Sequence, residues 1–170
     1  GTTSLGASVT TTTGGQTYTG AVTVSGGDRT LTTSATAAGD TIVFGSTVDS
    51  DGATARALTI TTGSNTPTVK FDGVVGGTNP LGAIAITGAL DLNAAITNAS
   101  SLTVSGVSDL GANVTTSGIQ TYSGDVSLSG GDRTLTGSTV TFNGTVSNVV
   151  TLGTTFLNTL NNTYCTSSGP

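Results

Sequence analysis

The sequence lacks several residue types on which other fold and function classes depend. It has no Trp, Met or His, aromatic residues make up 4% and charged residues 8% of its 170 residues, and every acidic residue is Asp. Because the helix formers Glu, Lys, Gln and Met are scarce or absent, a helical fold has little to build on. Thr, Gly, Ser, Ala and Val dominate instead. Branching at Cβ makes Thr and Val favour extended backbone, and Gly favours turns, so the composition predicts an all-β protein.

Charge is also scarce, and this excludes some partners. The formal net charge is −5 and the four cations are Arg29, Arg56, Lys70 and Arg133, which is too few to follow a phosphate backbone, so we expect no nucleic-acid partner. No run approaches the roughly 20 apolar residues of a membrane span. The one cysteine, Cys165, cannot form an internal disulfide but could join two subunits.

One segment occurs twice. Residues 16–32 read QTYTGAVTVSGGDRTLT and residues 120–136 read QTYSGDVSLSGGDRTLT, with 13 of 17 positions identical. The similarity extends over residues 5–48 and 110–146, and the second copy lacks six residues near Ala37. Self-similarity of this kind is typical of repeat architectures, whose insertions lie in loops.

Short alternating runs such as Val22/Val24 and Leu58/Ile60 indicate strands of three to five residues, with turns about every ten residues. A β-sandwich has a similar rhythm and remains an alternative. Scarce aromatics, short strands and the duplication favour a β-solenoid. We expect a parallel β-helix over residues 1–148, with about seven or eight coils of roughly 20–25 residues. Its handedness should be right-handed, the general preference of parallel crossovers.

Several phrases, including TIVFGSTVDS, FDGVVGGTNPLGAIAITG and TVTFNGTVS, resemble the repeats of filamentous-haemagglutinin-type large secreted bacterial adhesins. The resemblance covers most of residues 5–148. It implies a right-handed parallel β-helix, export across a Gram-negative outer membrane to the extracellular space or cell surface, and a role in adhesion or biofilm. Residues 149–170 depart from the pattern, and we interpret them as a cap or an assembly segment.

No motif points to catalysis or metal binding. The repeated Gly-Gly-Asp-Arg motif at 26–29 and 130–133 is interpreted as a scaffold turn, in which Asp bonds nearby backbone and the Arg stem covers apolar surface. Asp49 and Asp51 could pair as a calcium or acid/base site, but calcium needs six to eight oxygens and no carboxylate cluster is visible. We therefore expect a protein that is not an enzyme and has no cofactor.

The two copies lie near opposite ends, so the ends should expose related surfaces that can stack. The sequence favours a self-assembling subunit of an extracellular filament or biofilm fibre, with a shaft fragment of a giant adhesin as the alternative. A module that binds host or matrix glycans, or ice, is a further alternative. Ice binding by a solenoid needs a regular Thr-x-Thr, and TVT and LTIT do not recur at a constant interval. The expected contacts between subunits are Leu5, Phe156, Leu157, Leu160, Tyr164 and Cys165.

Overall fold

Nineteen short strands and no helix make up the part of the chain that the computed structural model describes, which is residues 1–35, 37, 39–52, 54–63 and 68–147. The strands are β1 (Thr3–Leu5), β2 (Val9–Thr11), β3 (Gln16–Tyr18), β4 (Val22–Val24), β5 (Arg29–Thr33), β6 (Ile42–Phe44), β7 (Val48–Ser50), β8 (Arg56–Thr61), β9 (Thr68–Phe71), β10 (Leu81–Thr87), β11 (Ala89–Leu92), β12 (Ile96–Val104), β13 (Ser108–Leu110), β14 (Val114–Thr116), β15 (Ile119–Tyr122), β16 (Val126–Leu128), β17 (Leu135–Thr136), β18 (Thr139–Phe142) and β19 (Val146–Ser147).

The strands stack in three columns, which we name faces A, B and C. Face A holds β1, β4 and β7, continues through the single bridging residue Val75 to Ile96 of β12, and then holds β14 and β17. Face B holds β2, β5, β8, β10, the second half of β12, β15 and β18. Face C holds β3, β6, β9, β11, β13, β16 and β19. The chain visits A, B and C in turn seven times, so the described residues form seven triangular coils.

Alternation along each strand builds the core. In β4, Val22 and Val24 are buried while Thr23 between them is partly exposed, and β6 and β9 repeat this pattern. Because successive side chains of a strand point to opposite sides, alternate residues of each face fill the interior, two per strand in β4, β6 and β9. Aromatic rings stack there from coil to coil: Tyr18 lies 5.3 Å from Phe44, and Phe44 lies 4.8 Å from Phe71, between ring centroids.

Every strand pair in the described part of the chain is parallel, and this confirms the predicted parallel β-helix. A β-sandwich is wrong, because its sheets are antiparallel. The predicted right-handed winding stays a prediction.

Coil length varies more than we expected. On face B, Arg29 pairs with Leu58 and Ile86 pairs with Val104. The coil that runs from Arg29 to Leu58 therefore contains many more residues than the coil that runs from Ile86 to Val104. Loops at the corners absorb the difference.

The two copies of the repeat occupy different faces. Gln16–Tyr18 lies on face C, whereas the matching Gln120–Tyr122 lies on face B, so the second copy is displaced by one face around the axis. The deletion in the second copy also appears in the register. Fewer residues of the chain separate Gln120 from its partner Val140 than separate Gln16 from its partner Ile42. Faces B and C thus accept the same Gln-Thr-Tyr segment, since both use the same strand geometry.

Candidate functional surfaces

The Gly-Gly-Asp-Arg turns join neighbouring coils through hydrogen bonds. Gly26 and Gly27 have φ values of 70° and 145°, which favour glycine. The Arg29 guanidinium donates to the carbonyl oxygens of Ser25 and Asp28 in its own turn, and its Nε donates to the Leu5 carbonyl of the preceding coil at 3.0 Å. The Asp28 carboxylate accepts the Ala57 amide of the next coil at 2.8 Å.

The second turn repeats this arrangement. Arg133 donates to the carbonyl oxygens of Leu110, Asp132 and Ser129, and Gly130 and Gly131 again have positive φ. Because the donors of each guanidinium bind backbone carbonyls of the scaffold, the interpretation as a structural turn agrees with the geometry.

Asp49 and Asp51 do not form a paired carboxylate site. The Asp49 carboxylate accepts the amides of Thr78 and Asn79, at 2.8 and 3.1 Å. The Asp51 carboxylate accepts the Gly26 amide at 2.8 Å and pairs with Arg56 at 3.0 Å. The pKa of Asp51 is lowered mainly by the hydrogen bond from the Gly26 backbone amide, and next by the hydrogen bond from the Arg56 side chain. These carboxylates hold loops of neighbouring coils, and no cluster of three metal-ligating side chains occurs among the described residues.

A buried polar network occurs in both copies of the repeat and was missed from the sequence. The Gln120 side chain, fully buried, donates to the Thr136 carbonyl at 2.8 Å and to the Thr116 hydroxyl at 3.2 Å. Its Oε1 accepts the Tyr122 hydroxyl at 3.1 Å, and burial raises the pKa of Tyr122 well above the usual tyrosine value. The Gln-Thr-Tyr motif, which is identical in both copies, could have indicated this network. The alternation of apolar residues alone does not predict that a Gln side chain points inward.

Gln16 builds the same network in the first coil. It donates to the Thr32 carbonyl at 2.9 Å and accepts from the Tyr18 hydroxyl at 2.9 Å. Here Tyr18 is only half-buried, although burial again raises its pKa. The two networks share their chemistry and differ in their access to water.

The three strands of the first coil form an open end. Within the described residues, β1, β2 and β3 each pair along one edge only, with β4, β5 and β6. In β3, the Gln16 amide and the Tyr18 carbonyl are bonded to the next coil. Because backbone groups alternate between the two edges of a strand, the amide and carbonyl of Thr17 point to the open edge.

The outer surfaces of the faces differ in charge. On face C, Lys70 lies beside Asp91 in the register, with Asp109 on the next coil, and Lys70 approaches the carboxylates of Asp72 and Asp91 at 3.5 and 3.8 Å. Face A carries Asp49. The outward positions in the middle of face B are uncharged and rich in Thr.

Of the residues predicted to contact another subunit, Leu5 lies on β1 at the open end, with its side chain 4% exposed in the core. A contact there would use the backbone edge of β1 more than the Leu5 side chain. The other five lie outside the described residues: Phe156, Leu157, Leu160, Tyr164 and Cys165, as does the predicted cap or assembly segment 149–170.

Comparison of the chain with protein-family models, curated proteins and solved structures found no match. Across the described residues, no helix has the length and apolar character needed to cross a membrane.

Proposed function

We propose that the chain is a non-enzymatic structural unit of an extracellular bacterial filament, in which β-solenoid coils of successive subunits stack end to end. The observation that carries the proposal is the open edge of the first coil, where β1, β2 and β3 pair on one side only within the described residues. Each such edge presents amide and carbonyl groups to another strand. Stacking in one direction repeats without closing and produces a filament.

The geometry of this edge favours another coil as its partner. Three parallel strands meet at one end of the prism, so a partner satisfies them together only by presenting three parallel strands of the same spacing. The chain's own coils have that form. The outward side chains along the edge, Ser4, Thr10 and Thr17, are uncharged, so like-charge repulsion does not oppose stacking.

A proline at the open edge tests the proposal. Thr17→Pro removes an amide that points away from the neighbouring coil and places a ring at the junction, while the β3–β6 hydrogen bonds made by Gln16 and Tyr18 remain. We expect the unaltered protein to form filaments at high concentration by negative-stain microscopy and Thr17→Pro to remain monomeric. The matched control Thr17→Val keeps the amide and should form filaments. Monodisperse monomers of the unaltered protein at all concentrations would overturn the proposal.

A second candidate role is a shaft segment within a giant secreted adhesin, in which coils of the same polypeptide continue the open edge. The parallel stacking and the resemblance to filamentous-haemagglutinin-type repeats favour it. Both roles imply an extracellular or cell-surface location in a Gram-negative bacterium. In the shaft role, fusing further coils ahead of Gly1 should raise the protection of the β1–β3 amides from hydrogen exchange, and the unfused chain should remain monomeric.

Binding to host or matrix glycans is less well supported. Aromatic side chains usually stack on sugars, and the described aromatic residues Phe44, Phe71 and Tyr122 are buried, with Tyr18 and Phe142 packed against the core.

A further inference from the structure

Face B carries two parallel rows of outward threonines that the sequence does not display as a regular pattern. The backbone register stacks one residue per coil in each row. Row 1 consists of Thr30, Thr59, Ala85, Thr103, Thr121 and Thr141. Row 2 lies two residues further along each strand, with Thr10, Thr32, Thr61 and Thr87, and the ladder continues it through Ser105 and Ser123.

The irregular spacing in the sequence has a simple cause. The stretch of chain from Thr30 to its partner Thr59 is much longer than the stretch from Thr103 to its partner Thr121, because the corner loops differ in length. Within the ladder each step is one coil, so the rows are regular in space. Two coils present a complete Thr-x-Thr pair, Thr30/Thr32 and Thr59/Thr61. The next three coils present Ala85/Thr87, Thr103/Ser105 and Thr121/Ser123, so at least one threonine lies at the rows in each of them.

The hydroxyl groups in these rows are available to water. None of the row threonines has a side-chain hydrogen bond to another part of the described chain, in contrast to Thr33, Thr62 and Thr116, whose hydroxyls are bonded internally. The row positions are partly or fully exposed, and none of them is charged. A charged group would keep its own hydration shell and resist transfer onto an ordered solid. Face B does have two charged residues, Arg29 and Arg56, but they begin β5 and β8 outside the two rows, and each is bonded there, to the Leu5 carbonyl and to the Asp51 carboxylate.

The spacing of the rows fits the oxygen lattice of ice. In ice each oxygen has tetrahedral neighbours at about 2.8 Å, so second neighbours lie about 4.5 Å apart and the perpendicular lattice repeat is about 7.4 Å. Stacked strands lie about 4.8 Å apart, and residues i and i+2 of a strand lie about 6.7 Å apart. Each row has five steps, so the misfit along the axis totals about 1.5 Å, and in a row centred on the lattice no position is off by more than about 0.8 Å. The misfit between the two rows is about 0.7 Å.

We propose that face B binds ice, with its rows of threonine hydroxyls and methyls holding water in positions that merge with the lattice. This function goes beyond stacking at the ends of the coil, because it uses a flank that end-to-end assembly leaves open. A filament of such subunits would present the same rows along its length.

The test measures how much protein enters a slowly growing ice hemisphere, together with inhibition of ice recrystallisation. The unaltered protein should concentrate in the ice, and Thr103→Lys, which places a charge in the middle of row 1, should be excluded from it. The matched control Thr115→Lys adds the same charge at an exposed position of face A and should enter the ice normally. Circular dichroism establishes that both variants are folded.

Several outcomes would overturn the proposal. These are exclusion of the unaltered protein from ice, equal loss in Thr103→Lys and Thr115→Lys, or retention on crystalline cellulose without entry into ice. Thr17→Pro separates this inference from the filament proposal. If the flank acts independently of assembly, the monomeric Thr17→Pro variant still enters ice, and if filaments fail to form in any variant, the ice measurement still stands.

Discussion

Replacing Gln120 by Ala should destabilise the protein by about 4 kcal/mol, because a fully buried network loses its centre. The Tyr122 hydroxyl loses its acceptor, and an unsatisfied buried polar group costs roughly 1–3 kcal/mol. The Thr136 carbonyl and the Thr116 hydroxyl lose a donor. The space left by the carboxamide adds on the order of 1 kcal/mol, as cavities in cores generally do.

The first copy of the repeat provides a matched control. Gln16→Ala removes the same side chain from the same local phrase, but Gln16 lies at the end coil and Tyr18 is only half-buried, so water can replace the lost partners. We expect its cost to be about 1–2 kcal/mol. Urea unfolding monitored by circular dichroism gives both values, and hydrogen exchange of β14–β18 shows where protection is lost.

A double variant checks the physical cause. In a Gln120→Leu background, Tyr122→Phe removes the stranded hydroxyl and should recover about 1 kcal/mol, because replacing both partners by apolar groups is far less costly than replacing one. Equal destabilisation by Gln120→Ala and Gln16→Ala would refute the argument from burial. A further loss on adding Tyr122→Phe would refute the argument from the unsatisfied hydroxyl.

Other predictions concern titration and packing. Because burial raises the pKa of Tyr122 above its unfolded value, the contribution of Tyr122 to stability should be fully present below about pH 10 and fall by roughly 1.4 kcal/mol per pH unit above it. Tyr122→Phe should flatten this fall in urea titrations. Because hydrogen bonds lower the pKa of Asp51, its contribution is present above the unfolded pKa and lost as pH falls, so Asp51→Asn should flatten the acid side of the same profile. Phe44→Ala, at the centre of the ring stack, should cost about 3–5 kcal/mol in urea unfolding, and a cost under about 1 kcal/mol would contradict the packing. Gly76 has φ of 70° and a Cβ there would lie 2.0 Å from the Asn98 carbonyl oxygen, so Gly76→Ala should lower stability by at least about 2 kcal/mol, measured as a fall in the thermal midpoint.

Composition and local pattern predicted the fold class well. Cβ-branched residues in alternating positions predicted short strands with one buried side, and the buried Val22/Val24 and Leu58/Ile60 pairs agree. The Gly-Gly-Asp-Arg phrase predicted a turn, because its glycines need positive φ. These features depend on neighbouring residues alone, and local sequence therefore contains the information.

Stacking between coils was not predictable in the same way. Whether Gln120 meets Thr136, or Thr103 lies between Ala85 and Thr121, depends on the lengths of corner loops that vary from coil to coil. The Thr intervals are irregular in the sequence, whereas the register aligns Thr, Ser and Ala side chains in two rows on face B.

The sequence by itself determined that the chain forms short strands with one buried side, separated by turns, since alternation and turn residues act locally. The tertiary structure alone decided which residues share a row, which face each copy of the repeat occupies, and which polar side chains meet in the interior. The physical reason is that backbone hydrogen bonds align strands of successive coils that differ in length, and each corner loop shifts that alignment without changing the pattern of the strands it joins.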